Sequence, residues 1–283
     1  MTAREDILNA IEQATGTRPR ETPVPISGGC IHEAFRLGDF FIKTNHASKS
    51  AVLETEKVGL LELSKANAVK VPEVICSGTT SETAFLVLEY LDLVGSSPKS
   101  QAQLGTQLAE LHRATQEQFG FSSDNFIGET PQPNKQHPDW ITFWREQRLE
   151  HMGRLLTNRG QNVKGLDQLL SQLDGFLKND QPTSSLLHGD LWGGNASALV
   201  NDTPVIYDPA VYYGDRETDL AMTTLFGGFS NEFYQAYEEV WPLDSGYPKR
   251  RDLYNLYHIL NHAVLFGGGY LRQAETMIAS LLN

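Results

Sequence analysis

In the segment His188-Gly189-Asp190-Leu191-Trp192-Gly193-Gly194-Asn195 a carboxylate is followed five residues later by a carboxamide. A second carboxylate, Asp208 of Tyr207-Asp208-Pro209-Ala210, stands eighteen residues after the first. Short apolar runs precede both groups, so they sit at the ends of short strands or in the turns that follow. Oxygen ligands arranged in this way suit Mg²⁺, which takes carboxylate and amide oxygens and leaves its remaining positions to water and nucleotide phosphates. The intervening glycines let the backbone come close to a ligand. Asp and Asn also serve turns and caps, but the number of positions that coincide here favours chemistry.

The spacing H-x-D-x-x-x-x-N followed by an Asp matches the catalytic loop and metal-binding Asp of the protein-kinase-like fold. On that pattern Asp190 orients an acceptor hydroxyl and takes its proton, while Asn195 and Asp208 hold the metal. Such a reading makes four demands upstream. Lys43, inside the apolar run Phe40-Phe41-Ile42-Lys43, is the cation expected to reach the α and β phosphates of ATP. Its partner must lie on the next helix. At roughly 100° per residue, Val52, Leu53, Leu60 and Leu63 form one stripe with Glu56 in its middle and Glu54 almost opposite, so Glu56 is expected to pair with Lys43. Gly28, Gly29 and Cys30 form the turn whose N–H groups would lie over the phosphates. Glu89, Tyr90 and Leu91, at the end of an apolar strand, are the expected adenine-contacting hinge.

The elements that must position these groups follow from periodicity. Ile7, Leu8 and Ile11 imply an N-terminal helix, and Gly38-Asp39 divides two apolar runs as a hairpin turn would. A helix is expected over about 48–66, then a buried strand through Phe85-Leu86-Val87-Leu88. The Gly-, Ser- and Pro-rich stretch after it is the natural boundary, giving a nucleotide-binding lobe over 1–91 and a catalytic lobe over 92–283. Beyond it lie an amphipathic helix with Leu104, Leu108 and Leu111, an ordered loop over 120–139, and an aromatic helix from Trp140. Two short strands, one before His188 and one before Asp208, are expected to be linked through a turn at Asn201-Asp202. The class is α+β, bilobal, with a strand-rich first lobe and a mostly helical second.

Composition narrows the partners. Among 283 residues, 23 Lys and Arg face 35 Asp and Glu, a formal charge of −12, which argues against nucleic acid. Two cysteines, Cys30 and Cys76, are too few for a disulfide framework and fit a reducing compartment. With no apolar leader and no run near the roughly 20 residues of a spanning helix, the chain reads as cytoplasmic and not membrane-bound.

Long stretches resemble the fructosamine kinase (ketosamine 3-kinase) family, a branch of the kinase-like fold that includes aminoglycoside phosphotransferases. They include His188 to Asn195, Asp208-Pro209-Ala210-Val211-Tyr212-Tyr213-Gly214-Asp215-Arg216-Glu217 and Asn125-Phe126-Ile127-Gly128-Glu129-Thr130-Pro131-Gln132-Pro133-Asn134. The resemblance implies ATP- and Mg²⁺-dependent phosphorylation of the 3-hydroxyl of ketosamines, fructosamines, ribulosamines or erythrulosamines, free or on protein lysines. The phosphate then promotes elimination of the adduct, which makes the activity one of deglycation and protein repair. Another small-molecule kinase of the aminoglycoside or choline type, or a kinase-like module without catalysis, remains the alternative. His188, Trp192 and Asp215 are the candidate acceptor residues: Trp192 could stack on a sugar, and Asp215, Glu217 and Asp219 offer carboxylates to a protonated amine. Asp219 could equally brace the catalytic loop. His258 and His262 read as packing. Cys30 could be redox-active, so the chain is expected to be a monomer or a dimer linked through Cys30.

Overall fold

A computed structural model describes residues 3–26, 33–177, 182–227 and 229–283. The N-terminal part begins with α1 (Ala3–Thr15), β1 (Val24–Ile26), β2 (Glu33–Leu37), β3 (Phe40–His46), α2 (Ser50–Lys65), β4 (Val74–Thr79) and β5 (Thr83–Glu89). The five strands form an antiparallel sheet of order β1-β2-β3-β5-β4. Phe40 pairs with Leu37 across Gly38-Asp39, the expected tight hairpin.

The pleat assigns the two sides of this sheet. Ile42, Phe85 and Val87 face α1, where Ile7, Leu8 and Ile11 meet them in a small core. Phe41, Leu86 and Leu88 join the main core with Leu53, Leu60 and Leu63 of α2. Lys43, opposite Leu86 in the register, therefore emerges toward α2.

The stretch read as a flexible boundary has structure. β6 (Leu93–Val94) pairs with a later strand rather than with the first sheet, and Ser97 caps α3 (Pro98–Leu111) in a reciprocal capping box with Ser100. A hairpin, β7 (Asn125–Ile127) and β8 (Thr130–Gln132), occupies the segment expected to be an ordered loop. The aromatic helix starts as α4 (Trp140–Phe143), widens into a π-helical turn (Trp144–Leu149) and continues as α5 (Glu150–Asn158). The short helices α6 (Leu166–Ser171) and α7 (Leu173–Leu177) follow.

β9 (Ser185–Leu187) precedes His188, β10 (Ala196–Leu199) follows Asn195, and β11 (Pro204–Ile206) and β12 (Tyr212–Gly214) bracket Asp208. The two strands anticipated before His188 and Asp208 do not pair with each other. β9 pairs with β12, and β11 pairs with β10, a strand the alternation of the sequence did not reveal. The chain ends with α8 (Glu217–Met222), α9 (Asn231–Val240), α10 (Tyr247–Phe266) and α11 (Gly269–Leu281). Among the described residues no helix is long and apolar enough to cross a membrane.

α3 and α9 come closest at Gly105, where an added Cβ would lie 2.1 Å from the Phe233 carbonyl oxygen. That oxygen belongs to backbone and cannot rotate away, so the helices would have to separate. Gly105→Ala is expected to lower stability by about 1–3 kcal/mol, read as a reduced denaturant midpoint with an unchanged m-value.

Candidate active site

Lys43 is buried, and its ammonium donates to Glu56 Oε1 at 2.6 Å and to Asp208 Oδ1. Burial works against the charged lysine, but Asp208 and then Glu56 outweigh it and raise its pKa. Burial likewise raises the Glu56 carboxyl above the usual carboxylate range, with Lys43 opposing and Asp208 adding to the shift. Glu54 lies on the other side of α2 and pairs with Lys57, as the helical stripe required. The Lys43 side chain is 8% exposed and that of Asp208 48%, so the ion triad is closed toward the sheet and open toward the cleft.

Asp208 itself has φ +58°, a left-handed conformation that non-glycine residues seldom adopt and that concentrates at functional sites. Its neighbours are held by the catalytic loop, since Ala210 N–H donates to the His188 carbonyl and Tyr207 N–H to the Asn195 carbonyl. Asn195 Nδ2 donates to the Asp190 carbonyl at 2.9 Å and to its carboxylate at 3.2 Å. Burial, followed by the charge of Asp208, pushes the Asp190 carboxyl up to about 7, and the Asn195 hydrogen bond only partly offsets this. A longer contact of 3.5 Å from Asn195 Nδ2 to the Asp208 carbonyl joins this pair to Lys43, Glu56 and Asp208. Among the described residues no three His, Cys, Asp or Glu side chains gather to hold a metal unaided. One carboxylate and one amide oxygen are the donor set that suits Mg²⁺ shared with phosphates and water.

Asp219 holds the loop in place. It accepts N–H groups of His188 at 2.7 Å and Gly189 at 2.9 Å, and a longer contact of 3.3 Å from His112 Nε2. Gly189 must be glycine, because a Cβ there would lie 2.1 Å from the Ala210 carbonyl oxygen at φ +83°. Burial opposes the Asp219 charge, but the hydrogen bonds from His112 and from the Gly189 N–H hold its pKa below the usual range. His112, whose role no sequence motif signalled, has its pKa lowered by burial and also meets the Tyr237 hydroxyl at 2.8 Å.

The acceptor candidates fare differently. His188 is fully buried, its Nδ1 accepting from Asp190 N–H and its Nε2 donating to the Tyr207 carbonyl, so no ring nitrogen is left for a substrate. Asp215 is 2% exposed, and its carboxylate takes the Tyr254 hydroxyl and Glu217 N–H. Glu217 forms a two-pronged pair with Arg250 at 2.7 Å. His188 and Asp215 are therefore corrected from substrate contacts to supports, and Glu217 and Asp219 are likewise spent internally. Trp192 alone of the three is open, at 37% exposure.

At the expected hinge, Glu89 and Tyr90 N–H groups already donate to the Glu73 and Asp39 carbonyls. Of the three expected hinge residues, Leu91 alone has no such backbone bond from its N–H among the described residues. Gly28, Gly29 and Cys30 lie outside the described residues.

The β7–β8 hairpin is the support that sequence reasoning missed. Asn125 Nδ2 donates to the Val211 carbonyl at 2.7 Å and Gln132 Nε2 to the Ala210 carbonyl at 3.0 Å, fixing the backbone just after Asp208. Arg148, buried in the π-helical turn, donates to Pro133 O and Asn134 Oδ1 while stacking 4.0 Å from the Tyr212 ring. The signal available beforehand was that Asn125 to Asn134 is among the stretches that carry the family resemblance, with no role attached to it.

A family model described as fructosamine kinase matches residues 3–283. The chain belongs to the fructosamine kinase family. It is 43% identical over 267 residues to a probable ketoamine kinase of Vibrio cholerae, covering 91% of each chain. It is 41% identical over 269 residues to a chloroplastic protein-ribulosamine 3-kinase of Arabidopsis thaliana, covering 91% of this chain and 82% of that one. A crystal structure assigned as a fructosamine-3-kinase, from Haemophilus somnus, superposes with a TM-score of 0.91 at 28% identity, over 98% of this chain and 97% of that one. The aminoglycoside phosphotransferase APH(2")-IIa, solved with streptomycin and ATP, has a TM-score of 0.58 at 12% identity over 100% of this chain and 97% of its own, a likeness of fold. The fold is protein-kinase-like, and this family member is a phosphotransferase.

Because the folded Asp219 pKa lies below that of an unfolded aspartate, its contribution is present above about pH 4 and is lost as the pH falls through the folded value. Asp219→Asn is expected to cost about 1–3 kcal/mol at pH 7. The gap from the unsubstituted protein should narrow in acid, which chemical denaturation at pH 7 and pH 3.5 measures.

Proposed function

We propose that the chain transfers the γ-phosphoryl group of ATP, with Mg²⁺, to the 3-hydroxyl of a ketosamine, a ribulosamine, erythrulosamine or fructosamine adduct of an amine. Residues 1–91 hold the nucleotide and 92–283 supply the base, the metal ligands and the acceptor site. The observation that carries this reading is the joining of Lys43 to both Glu56 and Asp208, with Asp190 and Asn195 beside them. It is the constellation that positions a triphosphate against an acceptor oxygen. The family match and the ribulosamine kinase relative support the acceptor class.

Each residue then has a task. Glu56 keeps the buried Lys43 ammonium aimed at the cleft, where it meets phosphate oxygens. Asp190 accepts a hydrogen bond from the sugar hydroxyl, orients its oxygen in line with the γ-phosphorus and receives the proton as the new P–O bond forms. The amide of Asn195 fixes the Asp190 carboxylate. Asn195 and Asp208 would hold Mg²⁺. When bound, the ion neutralises phosphate charge as the β–γ bond breaks toward ADP.

ADP release with ATP, Mg²⁺ and ribulosyl-, erythrulosyl- or fructosyl-lysine, choline or kanamycin tests the reading. Turnover is expected on one or more ketosamines; turnover on choline or kanamycin alone, or none on any acceptor with ATP bound, overturns it. Asp190→Ala should lower kcat about 10²- to 10⁴-fold while leaving nucleotide affinity intact. Asp208→Ala should also abolish the Mg²⁺ dependence of nucleotide binding.

The pH profile follows from Asp190, which must be ionised to take the proton. Its carboxyl is raised to about 7 partly by the charge of Asp208, which a bound cation would offset. Hence kcat/KM for the acceptor, with MgATP saturating, should fall on the acid side of a midpoint no higher than about 7.

A further inference from the structure

The acidic side chains first expected to receive the acceptor's amine are all buried in other bonds, which raises the question of what meets the acceptor beyond its sugar. Leading away from Trp192 is a continuous line of rings. Trp192 meets Phe226 edge-on at 6.4 Å between centroids, and Phe226 lies 4.5 Å from His262 of α10. His262 in turn contacts Phe266 at 5.5 Å and Tyr270 of α11 at 5.0 Å, and those two rings meet at 6.1 Å. The line starts two residues from Asp190 and ends at Phe266, a ring 65% exposed.

The near end is built in. A Cβ at Gly194 would lie 2.3 Å from the Trp192 ring, so the indole is folded down over the loop and held against Phe226. At the far end Phe266 is 65% exposed, and the partly exposed rings of Phe226, His262 and Tyr270 join it to Trp192 as one apolar surface. A free ketosamine of one sugar and a small amine would occupy only the start of such a line. An acceptor carried on a lysine has four methylenes and then a polypeptide, which would lay apolar atoms along the later rings. The strip begins beside Asp190, at the proposed sugar position, so the occupant that reaches its far end is the remainder of the acceptor itself.

We infer that Phe226, His262, Phe266 and Tyr270 form a docking strip for the polypeptide around a glycated lysine, continuous with the sugar position at Trp192. The inference rests on the proposed reaction and assigns its larger acceptor. The strip separates protein-bound from free ketosamines by binding, not by chemistry, because none of its members reaches Asp190.

The test compares kcat/KM on Nα-acetyl-ribulosyl-lysine and on a ribulosylated nonapeptide with apolar residues flanking the lysine. Wild-type turnover of the small acceptor reports on the proposed reaction itself; the ratio between acceptors reports on the strip. In Phe266→Ala the peptide should lose about five- to tenfold, the scale of one exposed aromatic contact, through KM, with the small acceptor unchanged. Tyr270→Ala should repeat the pattern and Phe266→Leu should recover part of the loss. Equal losses on both acceptors, no loss on either, or a dimer of the wild-type protein that Phe266→Ala dissociates, would overturn the inference.

Discussion

A lysine ammonium removed from water must be compensated where it stands, and the geometry around Lys43 is organised by that requirement. The pleat of β3 turns Lys43 away from the α1 core and toward α2. α2 answers with Glu56 in an otherwise apolar stripe, and the second partner, Asp208, comes from far along the chain. One buried cation thereby links the sheet, the helix beside it and the metal segment. The same link makes the site one unit: whatever places Lys43 also places Asp208.

Asp208 arrives there because its backbone is constrained from two sides. The catalytic loop grips it through the His188 and Asn195 carbonyls, and that loop is itself fastened by Asp219. From the other side the amides of the β7–β8 hairpin satisfy the Ala210 and Val211 carbonyls. A left-handed aspartate between these anchors is held by surroundings that over-determine it. Arg148 extends the support outward, packing over Tyr212 while fixing Pro133 and Asn134.

The parts that could be read from sequence were those set by local periodicity or by a dense motif. Helical spacing chose Glu56 over Glu54, and the apolar run around Lys43 marked it as a cation in need of a partner. What could not be read depends on pairings distant in sequence. The short apolar runs before His188 and before Asp208 suggested two strands, but not that β9 would pair with β12 while a further strand, β10, would take β11. Nor does any pattern announce that His112 will lie under Asp219, more than a hundred residues away. The π-helical turn is similarly silent, since a single extra residue in the winding decides that Arg148 points inward.

The fate of the acidic residues changes what the charge of −12 means. Asp215, Glu217 and Asp219 follow Asp208 closely and look, in sequence, like a lure for a protonated amine. Each is instead consumed: Asp215 by Tyr254, Glu217 by Arg250, Asp219 by the catalytic loop. A carboxylate in that state is already taken up by its donors, and turning it toward a ligand would leave those donors buried and unpaired. Under the proposed reaction these three are not open to an amine-bearing acceptor, and Trp192 beside Asp190 offers an exposed aromatic face, which attracts cations and apolar stems without forming a competing ion pair. An acidic pocket would have favoured any amine and held Asp190 protonated by added negative charge. Aromatic surface beside a single tuned carboxylate avoids both effects, which is a physical reason for the chain to place Trp192, rather than another acid, next to its base.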